Sequence, residues 1–400
     1  MAVPMIDLRA QYRSIKPEID AAIAEIFESQ GFVGGPKVEQ FESAIARYLG
    51  VDHALSVASG TDALLLALKA AGVKDGSEVI TTTFSFFATA GAIANAGAKP
   101  VFVDIDPVTF NIDVTQIESR ITKRTRAIVP VHLYGQCADM DPVMAVAAKH
   151  GLRVIEDAAQ SLGARYKGRL GCTFGDAAAI SFYPTKNLGG AGDGGIVVMR
   201  DRELAETVRL LRAHGGDRTY YHRIVGTNSR LDAIQAAVLQ VKLKYLDQWN
   251  ERRRANAAHY DDLLKDVAEV VVPVEAQGNY HVYHQYVLRL PRRDEAKALL
   301  SRKGIGCAVF YPLPLHRQQC FQHLGYRESD CPCASQACQE VLALPMYAEL
   351  QPEQQEEVVA ALKEHLKRSK QVRNDFTAIL QEPAGAGGSA DPSPLALDET

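Results

Sequence analysis

Seven short runs of apolar and β-branched residues recur along the first half of the chain: ALSVAS (54–59), EVITT (78–82), PVFVD (100–104), AIVPV (127–131), RVIED (153–157), AAAISF (177–182) and GIVVM (195–199). They are apolar on both faces, which predicts strands buried on both sides. Between several of them the rhythm becomes that of a helix with one apolar face, in TDALLLALKAAG (61–72), FATAGAIANAG (87–97) and DPVMAVAAKHG (141–151). Strands alternating with helices predict an α/β architecture, a mostly parallel sheet covered on each side, over about residues 50–200.

Downstream, residues 230–264 keep a 3.6-residue apolar rhythm with charges opposite, and predict one long helix leaving the first domain. Beyond it, VVVP, HVYHQYVLRL (281–290) and RRDEAKALLSRKG (292–304) predict a smaller α+β domain. The expected division is therefore a large domain over 1–250, including an N-terminal segment, and a small one over 251–380. A tail over 381–400, rich in Gly, Pro, Ala and Asp, has little to bury and is expected to be disordered.

Composition narrows the class. With 400 residues and 47% hydrophobic content the chain is long enough for two domains and a large core. The net charge of −4 offers no basic excess for nucleic acid. No apolar run is long enough to span a bilayer, and the first residues lack the basic-then-apolar profile of a signal peptide, so the expected location is the cytoplasm. Seven cysteines form an odd set, and four of them fall between Cys320 and Cys338. Their spacing is not that of paired CxxC zinc sites, so no metal is expected; free thiols in a mobile substrate-side segment are.

Ligands of open parallel sheets bind beyond the carboxyl ends of the strands. Ser59-Gly60-Thr61, Asp157 and Ser181 each sit at such an end, and Lys186 follows in SFYPTKNLGGAGDGG (181–195). Gly60 and Thr61 open a helix, where free N–H groups and the helix dipole favour a phosphate, although Ser and Thr are also the ordinary caps there. Asp157 ends an apolar strand. A pyridinium N–H would compensate its charge, and so would backbone donors in the following turn. Lys186 lies among glycines that permit close approach of a bulky ligand, a setting that suits a Schiff-base lysine. Phosphate cradle, buried carboxylate and lysine, in that order, are what an enzyme needs to hold pyridoxal 5′-phosphate. GAGDGG (190–195) precedes a strand and lacks GxGxxG spacing, which argues against a dinucleotide or nucleotide-triphosphate loop.

From FVGGPKVEQFE (32–42) through SGTDAL (59–64), VHLYGQCADMD (131–141), EDAAQSLGA (156–164), SFYPTKNLGG (181–190) and GTNSRLDAIQAA (226–237) to YPLPLH (311–316) and LPMY (344–347), the chain resembles the DegT/StrS family of pyridoxal-phosphate-dependent nucleotide-sugar aminotransferases. The likeness covers about residues 4–365 and is strongest to enzymes that aminate C3 of UDP- or dTDP-linked 3-keto sugars. It implies the type I (aspartate aminotransferase-like) fold and a homodimer with shared active sites. It further implies that Lys186 forms the internal aldimine and Asp157 pairs with the pyridine nitrogen. Gln160 would approach the ring hydroxyl, Ala159 one ring face and Phe86 the other, while Phe84 and Phe87 are expected in the core. Gly60, Thr61 and Ser181 would hold the phosphate, with Asn228 reaching the phosphate of the neighbouring subunit. Arg230, Tyr311 and His316 would face the substrate.

The activity so implied is transfer of an amino group from L-glutamate to a nucleotide-linked keto sugar, by alternation of the cofactor between aldehyde and amine forms. A 4-keto sugar is the alternative acceptor. A sugar 3-dehydratase of the same family has histidine in place of Lys186, and a cysteine desulfurase needs a reactive cysteine loop. A non-catalytic regulator would be expected to lose Lys186 or Asp157.

Overall fold

The computed structural model describes residues 2–381. The seven apolar runs are the seven strands of a single sheet: β1 (His53–Val57), β2 (Glu78–Thr82), β3 (Lys99–Val103), β4 (Thr125–Val129), β5 (Arg153–Asp157), β6 (Ala177–Ser181) and β7 (Gly195–Met199). Their order across the sheet is β1-β7-β6-β5-β4-β2-β3. Strand β7 runs antiparallel to both of its neighbours, and the remaining pairings are parallel.

The doubly apolar pattern has a direct cause in the packing. Ala177, Ala179, Val197 and Met199 face one layer, with α3 (Gly60–Ala70) and α6 (Arg202–Leu211). The alternate residues Ala178, Ile180, Ile196 and Val198 face the other, with α2 (Pro36–Leu49) and α7 (Ala233–Leu243). Helix α5 (Met140–His150) covers the sheet elsewhere, setting Met140, Val143 and Ala147 on Ile80, Ile128 and Val154. Each strand thus buries side chains on both sides, and alternation is erased from the sequence.

The long helix expected over 230–264 is two helices, α7 and α8 (Leu246–Leu264). Residues 230–232 are extended, Asp232 pairing with Val33. Between the helices the chain tightens into a turn, Lys244 N bonding to Val241 O and Tyr245 N to Lys242 O. The apolar rhythm runs through the break because each helix buries a face against a different cluster. Ala236 and Leu239 pack against the sheet, whereas Tyr260 and Leu264 pack into a second core.

That second core gathers β8 (Tyr286–Arg289), its antiparallel partner β9 (Val341–Leu344), α9 (Arg293–Arg302) and α11 (Pro352–Gln381). Within HVYHQYVLRL (281–290) the strand begins only at Tyr286, after Tyr283 with its positive φ has turned the chain. Val3 belongs to this core as well, bonded to Gly304 O and accepting from Gly306 N, so the N-terminal residues reach across to the later part of the chain. Helix α1 (Leu8–Ser29) precedes the sheet in the chain, and α10 (Pro332–Glu340) leads directly into β9. No helix among the described residues is long and apolar enough to cross a membrane. Of the expected tail, residues 382–400 lie outside the described residues.

Candidate active site

Strand β5 ends in two adjacent carboxylates that face opposite sides of the sheet. Glu156 Oε1 accepts from the Phe174 and Gly175 amides at 2.8 Å each, and Oε2 meets the Cys172 amide at 3.0 Å and His132 Nε2 at 2.8 Å. Asp157 is buried on the other side. Its Oδ2 accepts from the Thr89 hydroxyl at 2.7 Å and Oδ1 from the Ala159 amide at 3.2 Å. The bond to Ala159 is the turn contact that any strand-ending Asp can make; the bond to Thr89, on α4 (Ala88–Asn95), is not. Burial raises the Asp157 pKa, and Thr89, Ala159, Lys186 and His132 oppose that rise. The carboxylate claims the Thr89 proton, so Ser85, whose hydroxyl lies 2.9 Å from that of Thr89, donates into the pair.

Three residues on, Gln160 bridges two segments: Oε1 accepts from the Tyr134 amide at 2.7 Å and Nε2 donates to the Tyr311 hydroxyl at 3.1 Å. Burial pushes the Tyr311 phenol pKa up; the Gln160 bond opposes this, and the Asp157 charge adds to it. Phe86 is 58% exposed and its ring centre lies 6.4 Å from that of Tyr311. Phe84 is fully buried, as expected, whereas Phe87 is half exposed and stacks on Phe321.

Lys186 stands five residues beyond the end of β6, in a turn closed by its amide bonding to Tyr183 O. Its side chain is enclosed but not sealed from solvent. Desolvation lowers its pKa to about 8, against the pull of the Asp157 charge.

Ser59 caps α3, its hydroxyl accepting from the Asp62 amide at 3.1 Å. That leaves Thr61 exposed in the first turn, one residue beyond Gly60. A Cβ on Gly60 would stand 2.6 Å from Ser181 Cβ and 3.0 Å from its Oγ, and one on Gly195 would stand 2.4 Å from Ser59 O. Only glycine at both places lets the helix N-terminus and the end of β6 approach closely enough to form one cradle. The residues present fit pyridoxal phosphate: an anion seat at Gly60, Thr61 and Ser181, a buried carboxylate for the ring nitrogen, and a lysine whose amine is partly deprotonated near neutral pH.

The substrate-side candidates divide. Tyr311 joins Gln160 and Phe86. His316 is sealed from solvent, its Nδ1 2.6 Å from Thr83 Oγ1 and its Nε2 without a partner among the described residues, and burial lowers its pKa. Asn228 and Arg230 are exposed on either side of buried Ser229. The Ser229 hydroxyl donates to Asp62 at 2.7 Å and accepts from the Ala58 amide at 3.2 Å, which laces this segment to the start of α3. Arg230 lines a hollow of about 350 Å³ with Gly34, Arg212 and Asp217, apart from Lys186.

Sequence reasoning missed Thr89 and Tyr134, and also Asn187, Asn250 and His284. The later cysteines are free thiols, as expected, but two of the four lie elsewhere than expected. Cys331 and Cys338 are buried against Phe84 and Val131, not in a mobile segment. Asp104 fixes the helix between them by accepting from the Cys333 and Ala334 amides. Among the described residues no three metal-ligating side chains converge.

Fold and cradle together define a pyridoxal-phosphate enzyme of the type I fold. The chain belongs to the DegT/DnrJ/EryC1/StrS aminotransferase family, whose model matches residues 13–363. It is 53% identical over 366 residues to a protein of Geobacillus stearothermophilus named a pleiotropic regulatory protein, covering 91% of this chain and 98% of that one. It is 45% identical to the UDP-N-acetyl-3-dehydro-α-D-glucosamine 3-aminotransferase of Acidithiobacillus ferrooxidans, over 88% of this chain and 95% of the relative. The crystal structure of S. venezuelae DesV in complex with a ketimine intermediate superposes with a TM-score of 0.89 at 43% identity, covering 91% and 98% of the two chains.

Proposed function

We propose that the chain transfers the amino group of L-glutamate to C3 of a UDP- or dTDP-linked 3-keto hexose. The observation that carries the reading is Lys186: an enclosed amine with a pKa lowered to about 8, beside a buried carboxylate and a glycine-lined anion seat. The regiochemistry is supported by the Acidithiobacillus relative, which is named for a 3-dehydro sugar.

When bound, pyridoxal phosphate supplies an electron sink that lets a C–H bond beside nitrogen ionise. Asp157, held as carboxylate by Thr89 and Ala159, keeps the ring nitrogen protonated. Gly60, Thr61 and Ser181 bind the phosphate, Ala159 and Phe86 flank the ring, and Gln160 approaches its hydroxyl. Lys186 Nζ, part of it neutral at working pH, takes up and returns the proton of the reacting carbon. Tyr311 and the buried His316 shape the sugar side, and Arg230 meets the diphosphate.

The working unit in this reading is a homodimer in which Asn228 reaches the partner's phosphate seat. Tyr220 is 91%, Tyr221 70% and Val225 94% exposed on the arm that precedes Asn228, an apolar surface that a second copy would cover. The two-domain division, with the large part over 1–250 and the small part over 251–380, belongs to the same proposal, as does a cytoplasmic location.

The test is a panel of 3-keto and 4-keto nucleotide sugars offered with glutamate, with amino-sugar product measured by mass spectrometry. Amination of the 4-keto sugars alone overturns the regiochemistry. A non-catalytic regulator, the alternative reading, predicts no amino-sugar product and no conversion of the cofactor by glutamate; retention of both Lys186 and Asp157 argues against it. Arg230→Ala should raise KM for the sugar nucleotide and spare the glutamate half-reaction. Equal losses in both would remove Arg230 from the diphosphate.

A further inference from the structure

The residue after Lys186 makes more polar contacts than the lysine itself. Asn187 is buried; its Nδ2 donates to Asn250 Oδ1 at 2.7 Å and to Val282 O at 3.2 Å, and its Oδ1 lies 3.1 Å from His284 Nδ1. A backbone carbonyl only accepts, so Val282 fixes the amide orientation, and His284 is left to donate from Nδ1. Asn250, 1% exposed on α8, uses its own Nδ2 to hold Leu162 O at 3.1 Å, in the turn that follows Asp157 and Gln160. Gly163 at φ 94° packs against that amide; a Cβ there would stand 2.4 Å from Nδ2.

One helical turn beyond Asn250, buried Arg253 donates to the carbonyls of Tyr283, His284 and Met346. The 282–285 backbone in turn meets the loop that carries Gln160's partner: Val282 N bonds to Gly135 O and Gln285 N to Tyr134 O. A single polar face of α8 therefore touches the turn after the cofactor carboxylate, the turn bearing Lys186 and the start of the second core.

We propose that Asn187, Asn250 and His284 are positioning residues, which set the direction of Lys186 relative to Asp157 and tie both to the segment leading into β8. The chemistry makes them demanding partners. Each bond is buried, so removing one member strands a donor or acceptor that no solvent can satisfy. Burial, then the charges of Lys186 and Arg253, drives the His284 imidazole well below its usual range, so it serves as a neutral donor. Among the described residues the lysine side chain has no hydrogen-bonded partner to direct it, which leaves its backbone seat as the part the protein can aim.

The proposal rests on Lys186 as the cofactor lysine. Borohydride reduction of the wild-type holoenzyme and peptide mapping decide that point separately, and label on another lysine removes that reading. The network itself is tested on holoenzyme by the ratio of circular dichroism to absorbance in the visible cofactor band, together with the glutamate half-reaction. Loss of folded protein lowers both signals equally; misdirection of Lys186 lowers the ratio. Asn187→Ala and His284→Leu should lower it and slow the half-reaction at saturating glutamate by about 10- to 100-fold, with apparent KM within about threefold of wild type. His284→Asn, which keeps an N–H donor at the position of Nδ1, should stay close to wild type. Asn250→Asp keeps the size but loses the donor to Leu162, and should fall with the first group even where Asn187→Ala folds poorly. An unchanged ratio in His284→Leu and Asn250→Asp, or no difference between His284→Leu and His284→Asn, overturns the proposal while leaving the borohydride result intact.

Discussion

Thr89→Val isolates the contact that most favours the charged form of Asp157 against its burial. The substitution keeps the shape and deletes the hydroxyl 2.7 Å from Oδ2, leaving the Ala159 amide as the remaining donor to the carboxylate. Asp157 is 5% exposed, so water does not replace the lost donor. A hydrogen bond to a charged group contributes about 1.5–3 kcal/mol. At about 1.4 kcal/mol per pKa unit, the Asp157 pKa, already raised by burial, should rise by a further one to two units. Pairing with a protonated ring nitrogen needs the carboxylate, so the holoenzyme should release cofactor as pH falls through that pKa. The acid limb of cofactor affinity, followed by fluorescence between pH 4 and 8, should therefore move up by about one to two units in Thr89→Val. Thr89→Ser should return it.

The apoprotein follows the sign of a raised carboxylate pKa. Its contribution is full below the unfolded value and is lost as pH rises through the folded one. The melting-temperature gap between wild type and Thr89→Val should then widen from acid to neutral pH. An acid limb that does not move, with cofactor still bound at neutral pH, would refute the assignment of Asp157 to the ring nitrogen.

Gly60→Ala forces a Cβ to within 2.6 Å of Ser181 Cβ, so the cradle must open; cofactor affinity should fall by tenfold or more, about 1.4 kcal/mol, in equilibrium dialysis. Amine-reactive labelling of the apoprotein, read by peptide mapping, should show Lys186 titrating near pH 8, and Asp157→Asn should lower that midpoint by removing the charge that raises it. A midpoint that rises would contradict the pairing. Mixing Lys186→Ala with Asn228→Ala chains should regenerate turnover in heterodimers that keep one complete site, and no recovery would place Asn228 in its own subunit's chemistry.

The sheet was legible because burial on both faces leaves continuous apolar runs, and all seven lie where the pattern placed them. Gly60, Asp157, Ser181 and Lys186 could be gathered before any coordinates, because parallel strands end at one edge. Thr89 could not: in FATAGAIANAG a threonine reads as a neutral helix residue, and its role depends on which turn of α4 faces β5. Asn187, Asn250 and His284 are 97 positions apart at the extremes, and nothing in the pattern of any one segment points to another. The same limit explains the 230–264 segment. Periodicity reports a buried face, and two helices burying faces in different cores leave the same trace as one.

Strand β5 can be regarded as a keyed part. Its last two residues are both acids, and they cannot exchange places, because Glu156 is gripped by three amides and a histidine while Asp157 has a hydroxyl and one amide. Sliding the strand by a single residue would swing the wrong carboxylate toward the cofactor and thrust the other into a nest of donors shaped for a longer side chain. The grip on Glu156 acts like a notch that admits one frame. It follows that insertions in the loop before Arg153 should be absorbed as slack outside the strand, whereas Glu156→Gln, which trades an acceptor for a donor in that nest, should loosen the frame and blur the placement of Asp157, which it never touches.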